Sequence, residues 1–147
     1  MKLNTKARYA VRMMADIMKF GGDGGVVPLK DVAERQNLSK RYLSQLAMAL
    51  KNAQLLKSVW GNQGGYKLGR PGTDISILEI IEAVDGPVSI IDCVFEDKIC
   101  DRTHFCECRD LWSDINDAIV SKLSGFTLAD LVNKSHHGAI QGKKKKE

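Results

Sequence analysis

The segment VPLKDVAERQNLSKRYLSQL, residues 27–46, decides the fold that this sequence predicts. Pro28 suits the first turn of a short helix, Asn37 breaks that helix, and Ser39 caps the next one. The second helix carries its apolar residues on one stripe, made of Leu43, Leu46, Ala47 and Leu50. Two short helices joined by a tight turn predict a helix-turn-helix.

The residues that follow predict a β-hairpin. A strand over 55–60 and a returning strand over 66–68 flank the turn Gly61-Asn62-Gln63-Gly64-Gly65. Gly64 and Gly65 permit a positive φ and a close approach of the backbone to another surface, as a wing along a DNA minor groove requires. A plain surface hairpin would use the same residues. The order of three helices and a hairpin therefore carries the prediction, which is a winged helix-turn-helix.

The apolar stripe leaves a polar face on the second helix of the motif. Its members are Arg41, Ser44, Gln45 and Met48, with Lys40 and Lys51 at the ends of the helix. Taken alone, such a face is typical of a solvated helix surface. Beside a wing, it is a candidate DNA-reading face.

Other helices complete a mainly α fold with a small β-hairpin wing. A helix over 5–20 precedes the motif, its methionines at core spacing, and a capping box at 76–79 opens another helix. A polar loop over 92–109 leads to a long helix over about 110–124. Its wide apolar stripe needs a partner helix: Leu111, Trp112, Ile115, Ala118, Ile119 and Leu123. A last short helix begins near residue 127.

These elements predict three parts. Residues 1–75 form the winged helix-turn-helix module, and residues 76–134 form a cysteine-bearing loop and a long dimerisation helix. Residues 135–147 form a disordered basic tail. Charge follows the same division: residues 1–75 contain thirteen Lys or Arg and five Asp or Glu, whereas residues 76–142 contain five and twelve. A basic first half indicates a polyanion-binding module joined to a second unit.

The four cysteines of the chain lie within sixteen residues, at Cys93, Cys100, Cys106 and Cys108. Such a group indicates a bound metal, a metal cluster or a redox switch. Structural zinc sites usually pair ligands two to four residues apart, which this spacing does not repeat. Wider spacing suits thiolates that wrap an iron-sulfur cluster. The spacing therefore favours an iron-sulfur cluster over a thiol redox sensor, and both of these over zinc.

Several classes of protein are disfavoured. No apolar run reaches the length of about eighteen residues that spans a membrane, and the start of the sequence lacks a secretion signal. We expect a cytoplasmic protein without a membrane partner. Neither a glycine-rich phosphate loop nor a nucleophile elbow is present, so an enzyme is not expected. A thiol- or zinc-dependent regulator without iron remains an alternative, and a small iron-sulfur electron carrier or a thiol hydrolase using His104 is less favoured.

Five motifs occur in the order of one family. They are KLNTKARYAVRMM, the helix-turn-helix segment quoted above, WGNQGGYKLGR, ISILEIIEAVDGPV and three cysteines before DLW. Together they resemble the bacterial iron-sulfur cluster regulators, the IscR-type winged-helix repressors, whose superfamily includes the NsrR, RirA and CymR regulators. The resemblance covers residues 1–134. It implies a homodimer that binds a double-stranded DNA operator and an iron-sulfur cluster.

The resemblance implies that Cys93, Cys100 and Cys106 are cluster ligands. A fourth ligand does not carry over, because Arg109 stands where IscR-type members have histidine and an arginine cation cannot bind a metal. Cys108 is the nearest substitute and His104 the second. Relatives that use an acidic residue of the partner's first helix would need it near Arg8, which is also a cation. A two-iron cluster is favoured over a four-iron cluster, and both remain open.

The polar face of the second helix and the hairpin wing together predict the DNA contacts. We expect them at Lys40, Arg41, Ser44, Gln45, Lys51, Trp60, Gly64, Gly65 and Lys67. Ser44 replaces an acidic residue and Trp60 replaces an arginine of the IscR-type members, so a different operator sequence is expected. Arg41 and Gln45 retain base-reading chemistry.

Overall fold

The computed structural model describes residues 3–96, 98–102 and 104–141. Its helices are α1 (Thr5–Gly21), α2 (Leu29–Gln36), α3 (Lys40–Asn52), α4 (Ile77–Asp85), α5 (Asp92–Phe95), α6 (Arg109–Ser124) and α7 (Leu128–Gln141). Strands β1 (Leu56–Val59) and β2 (Gly65–Leu68) follow α3 and form an antiparallel hairpin. A short 3-10 turn, Gly72–Asp74, leads from β2 to α4. The predicted mainly helical fold with one hairpin is confirmed.

Local hydrogen bonds and backbone conformation explain where helices α1, α2 and α3 begin or end. The Asn4 side chain accepts from the Ala7 N–H at 2.8 Å, and the Ser39 hydroxyl accepts from the Tyr42 N–H at 3.0 Å. Asn37 ends α2 in a left-handed conformation with φ 53°. Pro28 is the residue before α2 and not, as predicted, part of its first turn. Its fixed φ suits this extended position equally well.

Helix α1 lies at the centre of the core. Five of its apolar side chains are fully buried, namely Ala7, Ala10, Met13, Met14 and Ile17, which confirms the expectation that its methionines pack in the core. Met13 was not on the predicted stripe, while Val11 and Met18 are only half-buried. The buried face differs from a single stripe because α1 contacts α2, α3, β2, α4 and α7.

The hairpin is fixed to the helix-turn-helix by backbone pairing. Val27 and Tyr66 exchange N–H···O bonds of 2.8 and 2.9 Å, and a Cβ on Gly65 would lie 2.2 Å from the Val27 carbonyl oxygen. A Cβ on Gly64 would meet the Val59 carbonyl oxygen at the same distance. The positive φ expected at Gly64 and Gly65 is wrong: in this turn Gly61 has it, at 113°. Gly64 and Gly65 are needed for close approach alone.

Helices α4 and α7 join the same core as the winged motif. The capping box of α4 is confirmed, because the Ser76 N–H donates to Glu79 and the Glu79 N–H donates to the Ser76 hydroxyl. Burial raises the pKa of Glu79, but hydrogen bonds from Ser76 and Arg70 outweigh it, so this pKa lies below its ordinary value. Backbone bonds from Ile77 to Phe126 (2.9 Å) and from Leu128 to Ile75 (2.8 Å) tie the starts of α4 and α7 together.

The region from residue 82 to residue 127 contains no buried side chain among the residues described. The predicted polar loop is partly helical here, since α5 contains Cys93 and α6 begins at Arg109, directly after Cys108. Helix α7 is longer than the short helix expected and continues to Gln141, into the predicted tail. The rest of that tail, 142–147, lies outside the described residues.

Candidate nucleic-acid interface and cysteine segment

The polar face of α3 is exposed as the sequence predicted. Lys40, Arg41, Ser44, Gln45, Met48 and Lys51 are all exposed, whereas Leu43, Leu46, Ala47 and Leu50 are buried. The Ser44 hydroxyl donates to the Lys40 carbonyl oxygen at 3.0 Å, which leaves its oxygen as an acceptor. Arg41, Gln45 and Met48 thus present a cation, an amide and an apolar side chain on one side of the helix.

A buried carboxylate holds the neighbouring helix in place. Asp16 on α1 is 3% exposed and accepts from Arg35 at 2.7 Å and from Gln36 at 2.8 Å, both on α2. The side-chain hydrogen bond with Asp16 raises the pKa of Arg35. Arg12 of α1 adds a 2.7 Å bond to the Gln36 carbonyl oxygen. Since α2 packs on α3, this network fixes the support of the polar face.

The hairpin carries an unfavourable pair of like charges on its outer face. Lys57 and Lys67 lie directly opposite each other in the β1–β2 register, while Leu56 and Leu68, the next pair along, are buried. Like charges in this position destabilise a sheet unless a counter-charge lies between them. Lys57 also lines, with Lys51, Ser58 and Arg70, a cleft of about 600 Å³ between the end of α3 and the hairpin. The cleft brings together the cations Lys51, Lys57 and Arg70, of which Arg70 is paired with Glu79.

Lys57 was missing from the predicted contacts, although the sequence contains a signal for it. Residues 35–73 include seven Lys or Arg and no Asp or Glu. A charge count over residues 1–75 does not reveal this carboxylate-free run, because all five acidic residues of that range lie before residue 35 or after residue 73. The run coincides with the end of α2, α3 and the hairpin.

Trp60 stands at the tip of the hairpin and is 91% exposed, more than any other large apolar side chain of the described residues. It follows β1 and precedes the turn that the Gly64 N–H closes onto the Gly61 carbonyl oxygen at 3.0 Å. The predicted contacts on α3 and on the hairpin thus lie on two elements connected through β1 and the Val27–Tyr66 bridge.

The cysteines occupy the poorly packed region between α5 and α6. All four are thiols; Cys93 and Cys106 are half-buried, and Cys100 and Cys108 are exposed. His104 is also exposed. In the described part of this region, no three His, Cys, Asp or Glu side chains are close enough together to hold a metal ion. The ligand set expected from the sequence is present on one segment, and the structure does not bring it together.

The fold and the cationic face define a class, the winged helix-turn-helix DNA-binding regulators. Residues 3–134 match the Rrf2 family, described as iron-dependent transcriptional regulators. The chain belongs to the Rrf2 family, and it is a DNA-binding transcriptional regulator, not an enzyme. No helix of the described residues is long and apolar enough to cross a membrane.

Three relatives illustrate the match. An HTH-type transcriptional regulator of Haemophilus influenzae is 43% identical over 91% of this chain and 88% of its own. The HTH-type transcriptional regulator IscR of Escherichia coli is 37% identical over 97% of this chain and 87% of its own. The structure of CymR, the global cysteine regulator of B. subtilis, is similar with a TM-score of 0.78 and 36% identity, covering 91% and 98% of the two chains. The expected resemblance to regulators of the IscR and CymR type is confirmed.

Proposed function

We propose that this regulator is a homodimer whose affinity for its operator depends on an iron-sulfur cluster bound by its cysteines. One observation carries the proposal: all four thiols lie on a segment in which none of the described side chains is buried, and this segment leads directly into α6. The resemblance to IscR-type regulators and the iron-dependent description of the family agree with it. The protein would act on DNA in the cytoplasm.

The chemistry of the donor set fits such a cluster. Thiolates are the soft ligands that iron-sulfur clusters require, and four are present within one segment. An iron-sulfur cluster supplies a centre sensitive to oxygen, nitric oxide, iron supply or redox state. Cys93, Cys100 and Cys106 are the proposed common ligands. Since the described side chains are not gathered into a metal site, the segment has to rearrange when they bind together.

Cys108 is the better candidate for the fourth ligand. It lies directly before α6, with its side chain exposed and its carbonyl oxygen accepting from the Trp112 N–H at 3.1 Å. His104 is exposed and could replace it, whereas Arg109 is a cation and cannot. We favour a two-iron over a four-iron cluster. A ligand at the first turn of α6 would couple the segment directly to the position of that helix.

Helix α6 supplies the proposed dimer contact. It has no buried residue, and Leu111 and Trp112 are 55% and 37% exposed. Ile115, Ala118 and Ile119 continue the stripe that a second copy of α6 would cover. Within the monomer, α6 packs on α4 and α5, and α4 packs on α1 and α3. A change at the cysteines can therefore alter the spacing of two α3 helices on half-sites about one helical turn apart.

The proposed DNA contacts divide into two groups. Arg41, Gln45 and Ser44 face base edges, and Met48 adds an apolar side chain suited to a thymine methyl group. The phosphate contacts are Lys40, Lys51, Lys67 and the added Lys57, with the backbone at Gly64 and Gly65 close to the duplex. Trp60, at the tip of the hairpin, is a further proposed DNA contact.

A thiol-based regulator without iron is the second candidate. Exposed thiols at Cys100 and Cys108 are accessible to oxidants, and a similar solved structure is that of an oxidized form of Staphylococcus aureus CymR. A zinc regulator or a small electron carrier has no such support. Anaerobic purification with metal analysis separates these candidates.

The deciding experiment is anaerobic purification with iron, sulfide and zinc analysis and visible absorbance. We expect a brown protein, and we expect Cys93→Ala, Cys100→Ala and Cys106→Ala each to abolish the colour. Cys108→Ala should lower cluster content more than His104→Ala. Ser44→Ala is a matched control on α3, which should retain full colour. A colourless wild-type protein would contradict the proposal, with stoichiometric zinc pointing to a zinc regulator and reduced thiols without metal to a thiol regulator.

A further inference from the structure

We propose that Trp60 is an apolar wedge that enters the DNA minor groove and unstacks a deformable base step, so that this regulator reads DNA flexibility as well as base edges. The inference rests on the proposed operator binding. The indole of Trp60 is 91% exposed, so it contributes no packing stability to the single chain.

The support of Trp60 is rigid enough for a wedge. Gly61 takes a φ of 113°, which side chains rarely adopt, and a Cβ on Gly64 would lie 2.2 Å from the Val59 carbonyl oxygen. Glycine at both positions permits this turn, and the 3.0 Å bond from the Gly64 N–H to the Gly61 carbonyl oxygen holds it closed. Close to the turn, the Val27–Tyr66 bridge ties β2 to the residues just before α2 and so fixes the direction of the hairpin. A backbone held in this way loses little conformational freedom when the tip of the hairpin binds.

The charge around Trp60 points to DNA as its partner and not to another protein. Lys57 and Lys67 lie on the outer face of the same hairpin, and residues 35–73 contain no carboxylate. Neighbouring phosphates would neutralise the lysine pair and bring the tip to a groove. Aromatic or aliphatic side chains inserted between base steps kink a duplex, at least cost where the step is pyrimidine–purine.

The test uses a duplex that the wild-type protein selects from a randomised pool under anaerobic conditions, with dyes at both ends for energy transfer. We expect the wild-type complex to be bent by about 20° or more. Trp60→Ala should bind about 10-fold more weakly and leave the duplex straight, and Trp60→Phe should retain most of the bend. Lys67→Ala is the matched control on the same hairpin: it should bind more weakly and keep the bend.

A second duplex replaces the pyrimidine–purine step at the site of the bend by an A–A step. This change should lower the affinity of the wild-type protein and leave the affinity of Trp60→Ala unchanged. An unbent wild-type complex, or a bend that survives Trp60→Ala, would overturn the wedge and leave the proposed operator binding intact. Unchanged DNA binding by Trp60→Ala with loss of self-association would assign Trp60 to a protein contact and also overturn it. A wild-type protein that selects no duplex in either cluster state would refute the proposed function itself.

Discussion

The winged region, residues 3–81, and the cysteine region, residues 82–127, differ in how many of their side chains are buried. The winged region supplies nearly the whole buried core, and α7 adds Leu128 and Ala129. No described side chain of the cysteine region is buried. Five of the nine exposed large apolar side chains of the described residues lie between residues 91 and 112, namely Ile91, Ile99, Phe105, Leu111 and Trp112. With α7, the winged region buries its core within one chain, whereas the cysteine region leaves apolar side chains exposed, as expected if the proposed cluster and dimer cover them.

The largest effect is expected from Ile115→Asp in the cysteine region. A charge on the stripe of α6 should prevent the dimer and lower operator affinity by about 100-fold or more, because two linked half-sites bind far more tightly than one. Sedimentation at micromolar concentration and operator titration measure the two effects. Asp114→Asn, on an exposed neighbouring position, is the matched control and should remain dimeric. A monomeric wild-type protein would remove the dimer from the proposal.

The second prediction concerns the stability of the winged region. Asp16→Ala should lower the free energy of unfolding by about 3 kcal/mol, at the low end for a buried pair because the Arg35 side chain is 30% exposed. Glu34→Gln removes an exposed ion pair with Lys30 and should cost less than about 1 kcal/mol. Urea unfolding of both variants measures the difference. Equal small effects would show that the core of this region does not depend on the Asp16 network.

A smaller effect separates base reading from phosphate contact within the winged region. Arg41→Ala should cost about 1 to 3 kcal/mol on a matched operator and relax the preference at one base pair. Lys67→Ala should weaken binding to all sequences alike and make the salt slope shallower by about one unit. Titrations on matched and mismatched duplexes at several salt concentrations distinguish the two. If both variants lose the same small amount on every duplex, the polar face of α3 is not the reading face.

The winged region was predictable from sequence where local signals decide the structure. Ser39, Asn37 and the capping box at Ser76 act through hydrogen bonds within a few residues, and each was found as expected. The burial of Met13 and the close approach of Gly65 to Val27 depend on elements distant in the chain, so local periodicity missed them. Lys57, a further candidate contact, lies in the carboxylate-free run 35–73 that the sequence contains, but its position opposite Lys67 is visible only in the strand register.

The cysteine region was less predictable because its packing is not set by its own sequence. The grouping of four cysteines identified the segment, and the apolar periodicity predicted α6 close to its observed bounds, but the helical turn around Cys93 had no apolar periodicity to indicate it. The apolar stripe of α6 was correctly located, and none of its residues is buried in the single chain. Under the proposed function, the packing of this region also depends on a second copy of the chain and on the bound cluster, which local periodicity does not reveal.

The most direct measurement of the central claim is the operator affinity of one preparation before and after cluster removal. Anaerobic titration of the loaded protein and of the same protein stripped by a chelator should give affinities that differ by about 5- to 150-fold, the usual range of coupling between two sites. Cys93→Ala should bind like the stripped form in both preparations. Equal operator affinities for loaded and stripped dimers would contradict control by an iron-sulfur cluster.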